Sequence, residues 1–381
     1  MTTIYLIRHA EAEGNLYRRI HGWYDALITE NGFRQIQALE ERFRNIHIDA
    51  VWSSDLYRTM TTARAIYRPK GLELHTDPGL RELGMGQWED RPWGEARRLQ
   101  PSELDRFNAT DPGWSVEGSE SFAHLGERME AAVRRIARQY PGQTIALFSH
   151  GMAIRQLLGR LRGVPPEQWR SMPHGDNTAV SCLLWDGTRL SVTMEHDNSH
   201  LSEDISTLAR QVWWKSSGKV EDVNLWYRPI DWEREREIYL EARRDTWVTN
   251  HDIPFDGAGF LREAETHLSR TPWGVTLAFA GDKLTGILQV DPERYQEDNA
   301  GYIPFCYIMP EQRERSLGIQ LIGQAVSFYR PMGRDRLRLR CAPYNERAQR
   351  FYRKHGFAKI GDEPNSQVPL EILEKNIGYN L

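Results

Sequence analysis

The chain has 381 residues, which is the length of two to three typical domains. Its 49 lysines and arginines and 53 aspartates and glutamates give a net charge of −4, so no positive excess favours nucleic acid or an anionic membrane. Three widely spaced cysteines exclude a disulfide framework and a thiolate zinc site. No signal-peptide pattern and no apolar run of roughly 18 residues is found, so we expect a cytoplasmic protein without membrane or nucleic-acid partners.

The first half alternates short apolar runs with helical patterns, which is typical of an α/β sheet covered by helices. The predicted strands are 3–7, 50–53, 144–148, 180–185 and 190–194, and the predicted helices are 33–43, 56–66, 121–139 and 152–161. The stretch 87–110 is polar and resembles an insertion. The first domain is expected to span residues 1–201.

Residues 202–221 are predicted to form a linker, because they contain the flexible run Ser216–Lys219. Trp213 and Trp214 are expected to dock on a domain face, since a solvated tether seldom carries such side chains. The second domain, 222–381, has a different order of elements. Its predicted strands are 224–228, 276–280, 283–290 and 302–308, with a charged helix at 233–246. That order predicts an α+β domain.

Two histidines follow directly after predicted strands: His9, which is preceded by Arg8, and His150. The carboxyl ends of strands are where open α/β sheets build their sites. Arg58 begins a helix after another strand, and arginine matches phosphate oxygens in charge and geometry. With Glu82 as a further ionisable group, these residues predict a site for phosphate chemistry.

The same residues belong to a set of motifs that resembles the histidine phosphatase, or phosphoglycerate mutase-like, superfamily over residues 1–201. The motifs are Leu6–Glu11 with Asn15, Asp25–Gly32, Ser54 with Arg58 and Thr59, Glu82, Glu120-Ser121 and Ser149–Gly151. The resemblance implies a three-layer α/β/α fold and a reaction that needs no metal.

The resemblance also implies a role for each residue. His9 is the nucleophile that forms a phosphohistidine, and Glu82 protonates the leaving oxygen and then activates water. The phosphoryl oxygens are bound by a polar set, namely Arg8, Asn15, Arg58 and a protonated His150.

Two positions depart from the family pattern. Ala10 replaces the glycine that usually follows the nucleophile, and we expect it to be tolerated although a positive φ there would be strained. His21 replaces a glutamine, and its role is open between a contact with the leaving group and an ordinary loop histidine. A mutase shares the whole set of residues with a phosphatase, and the compact length favours the phosphatase.

A second pair of motifs lies in residues 222–381. Residues 308–318 join a strand to a helix predicted to begin near Ser316, and backbone N–H groups there can bind a pyrophosphate. With residues 345–357 they resemble the GNAT-type N-acyltransferases. The resemblance implies that acetyl-CoA is bound by Ile308, Arg313, Glu314, Arg315, Ser316, Leu317, Gly318 and Asn345. Ser316 replaces the family glycine, and we expect it to be tolerated if the backbone is helical there.

Tyr352 is implied as the acid that protonates the departing thiolate, against the alternative of a core aromatic. The resemblance also implies that the thioester carbonyl is held near strand 302–308, beside an expected β-bulge, and that the amine attacks it directly. This strand carries no carboxylate, so a general base is not evident. Cys306 in the same strand is expected to be a buried apolar group and not a nucleophile.

Together the motifs predict a bifunctional enzyme that acts on a small-molecule phosphomonoester and a small-molecule amine. In one alternative the first half is a mutase. In another the second half is a non-catalytic module that binds CoA or a partner. The sequence leaves the oligomeric state open, a homo-oligomer included.

Overall fold

The computed structural model describes residues 1–210, 223–250, 254–364 and 366–379. The chain divides into two compact units: Met1–Arg91 with Leu99–Val220, and Pro92–Arg98 with Glu221–Asn380. Most of the predicted linker, including Trp213 and Trp214, lies outside the described residues. The domain boundaries at 201 and 222 therefore stay a prediction.

The first unit is built on a six-stranded sheet with the order β3-β2-β4-β1-β5-β6. The strands are β1 (Thr2–Arg8), β2 (Ala50–Ser53), β3 (Leu74–Thr76), β4 (Thr144–Ser149), β5 (Val180–Trp185) and β6 (Leu190–Asp197). The neighbours β3-β2, β2-β4 and β4-β1 are parallel, whereas β5 and β6 close the sheet as an antiparallel hairpin. The parallel part brings the carboxyl ends of β1, β2 and β4 to one edge.

Helices connect or follow these strands, and residues 93–98 of one of them belong to the second unit. The helices are α1 (Glu13–Tyr17), α2 (Glu30–Phe43), α3 (Tyr57–Lys70), α4 (Trp93–Leu99), α5 (Pro101–Ala109), α6 (Phe122–Ala137), α7 (Gly151–Arg162) and α8 (Thr207–Arg210). The side chains of Thr29 and Ser121 cap α2 and α6 by accepting backbone N–H groups. The stretch 87–110, which resembled an insertion, thus contains two helices.

The central strands are buried on both faces. Leu6 and Ile7 are consecutive in β1, so they point to opposite faces, and neither is exposed. On one face Leu39 of α2 and Ile66 of α3 pack in a cluster with Ile7 and Val51. The helix α7 contacts β1 and β6. This is the three-layer α/β/α arrangement that the resemblance implied.

The second unit contains a seven-stranded sheet with the order β12-β13-β11-β10-β9-β8-β7. The strands are β7 (Leu225–Pro229), β8 (Val275–Ala280), β9 (Lys283–Asp291), β10 (Ala300–Ile308), β11 (Arg336–Cys341), β12 (Ala358–Asp362) and β13 (Glu371–Asn376). Only β10 and β11 pair in parallel among these strands of the described chain. The register of β10 against β9 shifts between Tyr302 and Phe305, so the predicted β-bulge is confirmed.

Four further helices belong to this sheet: α9 (Trp232–Asn250), α10 (Gly257–Arg270), α11 (Gly318–Tyr329) and α12 (Glu346–Lys354). Tyr239 of α9 and Ala264 of α10 pack in a cluster with Leu277 and Phe305 of the sheet. The helix α11 contacts β9 and β10. The predicted α+β fold of the second domain is confirmed. In the described chain no helix is long and apolar enough to cross a membrane.

The packing of α2 gives a stability prediction. Leu39 is fully buried, whereas Phe33 in the same helix is 49% exposed. Leu39→Ala should lower the free energy of unfolding by about 2–5 kcal/mol, because it leaves a cavity, and Phe33→Ala by less than about 1 kcal/mol. Urea unfolding followed by circular dichroism measures both values. Equal losses in the two variants would contradict the assigned packing.

Candidate active site

The two strand-end histidines lie side by side. Arg8 at the end of β1 is in register with Ser149 at the end of β4, and the His9 amide donates to the Ser149 carbonyl at 3.0 Å. The ring centroids of His9 and His150 are 5.3 Å apart. Both rings are buried. The parallel pairing of β1 with β4 therefore brings together two residues that are separated by most of the first domain.

The position and tautomer of His9 are fixed by its neighbours. Its Nδ1 lies 2.7 Å from the carbonyl oxygen of Ala10, and because a carbonyl only accepts, Nδ1 must carry the proton. The neutral ring therefore has its lone pair on Nε2. Asn177 donates to the His9 carbonyl at 2.9 Å, and the Ala10 amide donates to Thr62. Ala10 is not among the residues with positive φ, so its replacement of glycine causes no strain.

Burial lowers the pKa of His9 well below its usual range, and the nearby positive charges of Arg58 and Arg8 lower it further. The imidazole is therefore neutral at pH 7, which is the form in which it can act as a nucleophile.

His150 differs from the expectation of a protonated ring. Its Nε2 lies 2.9 Å from the Ser54 hydroxyl oxygen, and its Nδ1 is buried without a partner in the described part of the chain. Burial, followed by the charge of Arg58, lowers the pKa of His150 well below its usual range. This ring is therefore neutral as well. The sequence motif could not show this, because the shift depends on burial and on an arginine from another helix.

The two arginines are held mainly through backbone carbonyls. Arg8 donates to the Gly175 carbonyl at 2.6 Å, and its Nε is buried without a partner among residues 1–210 and the other described ranges. Arg58 is fully buried and donates to the carbonyls of Gly22 at 2.6 Å and Tyr24 at 3.0 Å. Carbonyl acceptors fix a guanidinium without cancelling its charge. The site therefore keeps positive charge for an anion.

Asp25 positions Arg58 at the start of α3. Both of its carboxylate oxygens accept the Tyr57 amide at 2.9 Å, which holds the first turn of the helix. One oxygen lies 3.9 Å from Arg58 Nη1. The motif segment 25–32 includes Asp25, but its function as a helix cap follows only from the fold.

Glu82 lies at the N-terminus of α7. Its carboxylate accepts the backbone N–H groups of Met152 at 3.0 Å and Ala153 at 2.9 Å. It interacts electrostatically with Arg8. The first turn of the helix therefore holds this carboxylate where it interacts with Arg8, the residue that precedes His9.

His21 lies near His9 as well, and the centroids of the two rings are 6.0 Å apart. Its ring lies against Gly14, where a Cβ atom would be 1.4 Å from Nδ1 of His21, so a larger residue would displace it. Burial, then the charge of Arg58, lowers the pKa of His21 to about 3. The predicted ligand Asn15 accepts the Ala12 amide through its side-chain oxygen at 3.1 Å.

Sequence reasoning missed residues 176–178, a polar run directly before the buried strand β5. Besides the contact of Asn177 with His9, the buried carboxylate of Asp176 accepts from the Ser206 hydroxyl at 2.5 Å and the Leu208 amide at 3.2 Å. Thr207 donates to Glu11 at 3.2 Å. The described start of the predicted linker is thus packed on the first unit.

The second motif region lies between β10 and α11. Arg313 donates to the Ile308 carbonyl at 3.1 Å and pairs with Asp245 at 2.6 Å. Glu314 and Ser316 have φ values of 67° and 57°, and α11 begins at Gly318. The expectation of a helical backbone at Ser316 is therefore wrong. Ser316 has the left-handed conformation that glycine adopts without strain, and loops with such residues form anion-binding concavities.

Tyr352 lies against Cys306 of β10. Burial and this thiol raise the pKa of Tyr352 well above its usual range, so the phenol stays protonated. Burial raises the pKa of Cys306 to about 12, which agrees with its interpretation as a non-nucleophilic residue. The side chain of Asn345, predicted to contact the cofactor, accepts the Ala348 amide at 3.1 Å and caps α12.

Comparison with known families identifies both domains. The model of the histidine phosphatase superfamily (branch 1) matches residues 4–198, which is half of the chain, so the chain belongs to this superfamily. The model of the acetyltransferase (GNAT) family matches residues 227–357. The chain therefore joins a histidine phosphatase domain to a GNAT domain.

Individual relatives match the first half. Proteins named "Probable phosphoglycerate mutase GpmB" from Yersinia pestis and Yersinia pseudotuberculosis are 41% identical over 176 residues, which is 45% of this chain and 80% of theirs. The solved structure of Bacillus stearothermophilus YhfR is 29% identical with a TM-score of 0.51, and the match covers 52% of this chain and 99% of that one.

The lowered pKa of His21 predicts a pH dependence of stability. In the unfolded chain this histidine takes up a proton below pH 6.5, whereas the folded protein resists protonation down to about pH 3. It therefore lowers the free energy of unfolding by up to about 1.4 kcal/mol per pH unit on acidification below 6.5. His21→Gln should flatten this slope, measured by urea unfolding between pH 7.5 and 5.

His47 provides the matched control, because its side chain is 81% exposed. Its Nε2 pairs with Asp49 at 2.9 Å, so His47→Gln should change the slope, but by less than His21→Gln does. If the two substitutions change the slope equally, the assigned burial of His21 is wrong.

Proposed function

We propose that the first half hydrolyses phosphomonoesters without a metal through a phosphohistidine at His9, and that the second half transfers an acetyl group from acetyl-CoA to an amine. The observation that carries the first part is the environment of His9. Its Nδ1 donates a hydrogen bond to the Ala10 carbonyl, so the lone pair of the neutral ring is on Nε2. The His9 ring has Arg8, Arg58 and His150 as neighbours.

The proposed reaction has two displacements. First, His9 Nε2 attacks phosphorus, the bond between phosphorus and the ester oxygen breaks, and Glu82 gives that oxygen a proton. Glu82, now a carboxylate, then takes a proton from water. The oxygen of this water attacks phosphorus, the bond to nitrogen breaks, and inorganic phosphate is released.

Charge stabilisation in both steps is assigned to Arg8, Arg58, Asn15 and His150. Burial and the charge of Arg58 lower the pKa of His150. A phosphoryl group beside Arg58 would bring negative charge into the buried site and would therefore raise this pKa again. His150 would then take up a proton as the substrate binds. In this proposal the imidazolium is a property of the complex, whereas the ring is neutral in the protein alone.

The second half is proposed to bind acetyl-CoA through the β10–α11 loop. The fit is supported by the left-handed residues Glu314 and Ser316 and by the start of α11, which together direct backbone N–H groups at an anion. The residues that would hold it are Ile308, Arg313, Glu314, Arg315, Ser316, Leu317, Gly318 and Asn345. Acetyl-CoA supplies the acetyl group as a thioester, and Tyr352 holds the proton for the thiolate at its phenol oxygen.

The nucleophile is tested with p-nitrophenyl phosphate in excess EDTA. Wild type should release inorganic phosphate, and His9→Ala should lose about three orders of magnitude in rate, because it removes the nitrogen proposed to attack phosphorus. The exposed histidine His47 gives the control, His47→Ala, with unchanged activity. Activity that survives in His9→Ala would contradict the proposal. Transfer of phosphate within a substrate, without release, would instead indicate a mutase.

The acid is tested with Tyr352→Phe. This substitution keeps the ring and removes the phenol proton, so the acetyl-CoA dissociation constant should stay within about twofold while thiol release in the presence of amines falls about a hundredfold. Calorimetry and a thiol reagent measure the two quantities. The exposed Tyr344 gives the control, Tyr344→Phe. If wild type does not bind acetyl-CoA, the proposed acetyl transfer is wrong.

A further inference from the structure

The GNAT domain contains a buried phenol without a hydrogen-bond partner. Tyr302 on β10 is 1% exposed, and its hydroxyl contacts no donor or acceptor among the described residues. Burying a hydroxyl without a partner is costly, and native structures seldom do so without a reason. Tyr302 also lies directly before the β-bulge, where the thioester is expected to bind. An unpartnered polar atom at this position indicates a ligand.

A carboxylate that two arginines connect to this phenol has an unpartnered oxygen as well. Glu363 follows β12, and its side chain is 11% exposed. One oxygen, Oε1, accepts from Arg294 at 2.8 Å and from Arg340 at 3.4 Å. The other oxygen, Oε2, is buried and has no partner within the described part of the chain. The site therefore offers two kinds of acceptor, a phenol oxygen and a carboxylate oxygen.

The two arginines connect Glu363 with Tyr302. The guanidinium carbons of Arg294 and Arg340 lie 4.7 Å and 5.4 Å from the centroid of the Tyr302 ring. The side chains of the two arginines are 33% and 26% exposed, whereas Tyr302 is buried. The cluster thus has a buried end with acceptors and an accessible end with donors.

The charges of this cluster do not cancel. Arg294 and Arg340 share the single carboxylate of Glu363, which leaves one positive charge. The next arginine of β11, Arg338, is paired with both Glu374 and Asp298 and adds none. One unbalanced guanidinium at a partly exposed position can bind a carboxylate or phosphate in a two-pronged geometry.

We propose that this cluster is the acceptor site and that it takes a small amine which also carries an anionic group. The ammonium is bound by Glu363 Oε2 and the Tyr302 hydroxyl oxygen, next to the β-bulge. The carboxylate or phosphate of the same molecule is bound by Arg294 and Arg340. This inference rests on the proposed acetyl transfer, because it assigns the second substrate of that reaction.

The test uses full-length His9→Ala protein with CoA present, so that phosphorylated probes are not hydrolysed. Calorimetry compares glycine with glycinamide and O-phosphoethanolamine with ethanolamine. We expect at least one anionic member to bind tenfold or more tightly than its neutral partner. The pair that shows the larger ratio tells whether the anion is a carboxylate or a phosphate. Adding Arg340→Gln should remove most of that preference and leave acetyl-CoA binding unchanged.

Arg336 on the same strand gives the matched control, because its side chain is 48% exposed and pairs only with the neighbouring Asp335 at 3.6 Å among described residues. Arg336→Gln should keep the preference. Tyr302→Phe, which keeps the ring, should weaken binding of the preferred amine at least threefold. Folding of each variant is checked by circular dichroism.

Three results would overturn the inference: equal binding of neutral and anionic amines, equal effects of Arg340→Gln and Arg336→Gln, or no binding of any amine. A failure of the proposed acetyl transfer would give a different experimental result. In that case the preferred amine binds and depends on Arg340, but no thiol is released from acetyl-CoA.

Discussion

The first domain depends on burying two guanidinium groups next to imidazole rings. Arg8 and Arg58 are fixed by carbonyl oxygens of the chain, which hold them without neutralising them, and their charge lowers the pKa values of His9 and His150. Burying two guanidinium charges next to imidazole rings costs free energy, so the rest of the fold must hold these groups together. The parallel pairing of β1 with β4 and the capped start of α3 do so here.

The second domain uses arginine differently. Near Tyr302 the guanidinium groups of Arg294 and Arg340 are paired with a carboxylate. The pairing is incomplete, because both arginines donate to the same oxygen of Glu363. In the first domain the guanidinium charge lies beside the buried His9 and suits a phosphoryl group held away from water. In the second it is partly exposed and suits a group that only anchors a substrate. In the functions proposed above, the same type of side chain would contribute to chemistry in one half and to substrate selection in the other.

Several features could be predicted from the sequence because they are local. The strand-end positions of His9 and His150 and the ends of α6 follow from short patterns, whereas the β-bulge of β10 was implied by the family resemblance. Other features depend on residues far apart in the chain. Asn177 reaches His9 across 168 positions, and the ionisation of His150 depends on Arg58 from another helix. The left-handed backbone at Ser316 was missed because serine does not require it, whereas glycine would have indicated it.

The hydrogen bonds of residues 206–208 determine where an expressed fragment of the first domain should end. Ser206 and Leu208 donate to the buried carboxylate of Asp176, and Thr207 donates to Glu11 on the loop after His9. An expressed fragment that stops at Leu201 would leave both carboxylates short of donors in the layer that supports His9. A fragment that continues through Arg210 retains all of these hydrogen bonds, so the first domain should be produced with residues 202–210 attached.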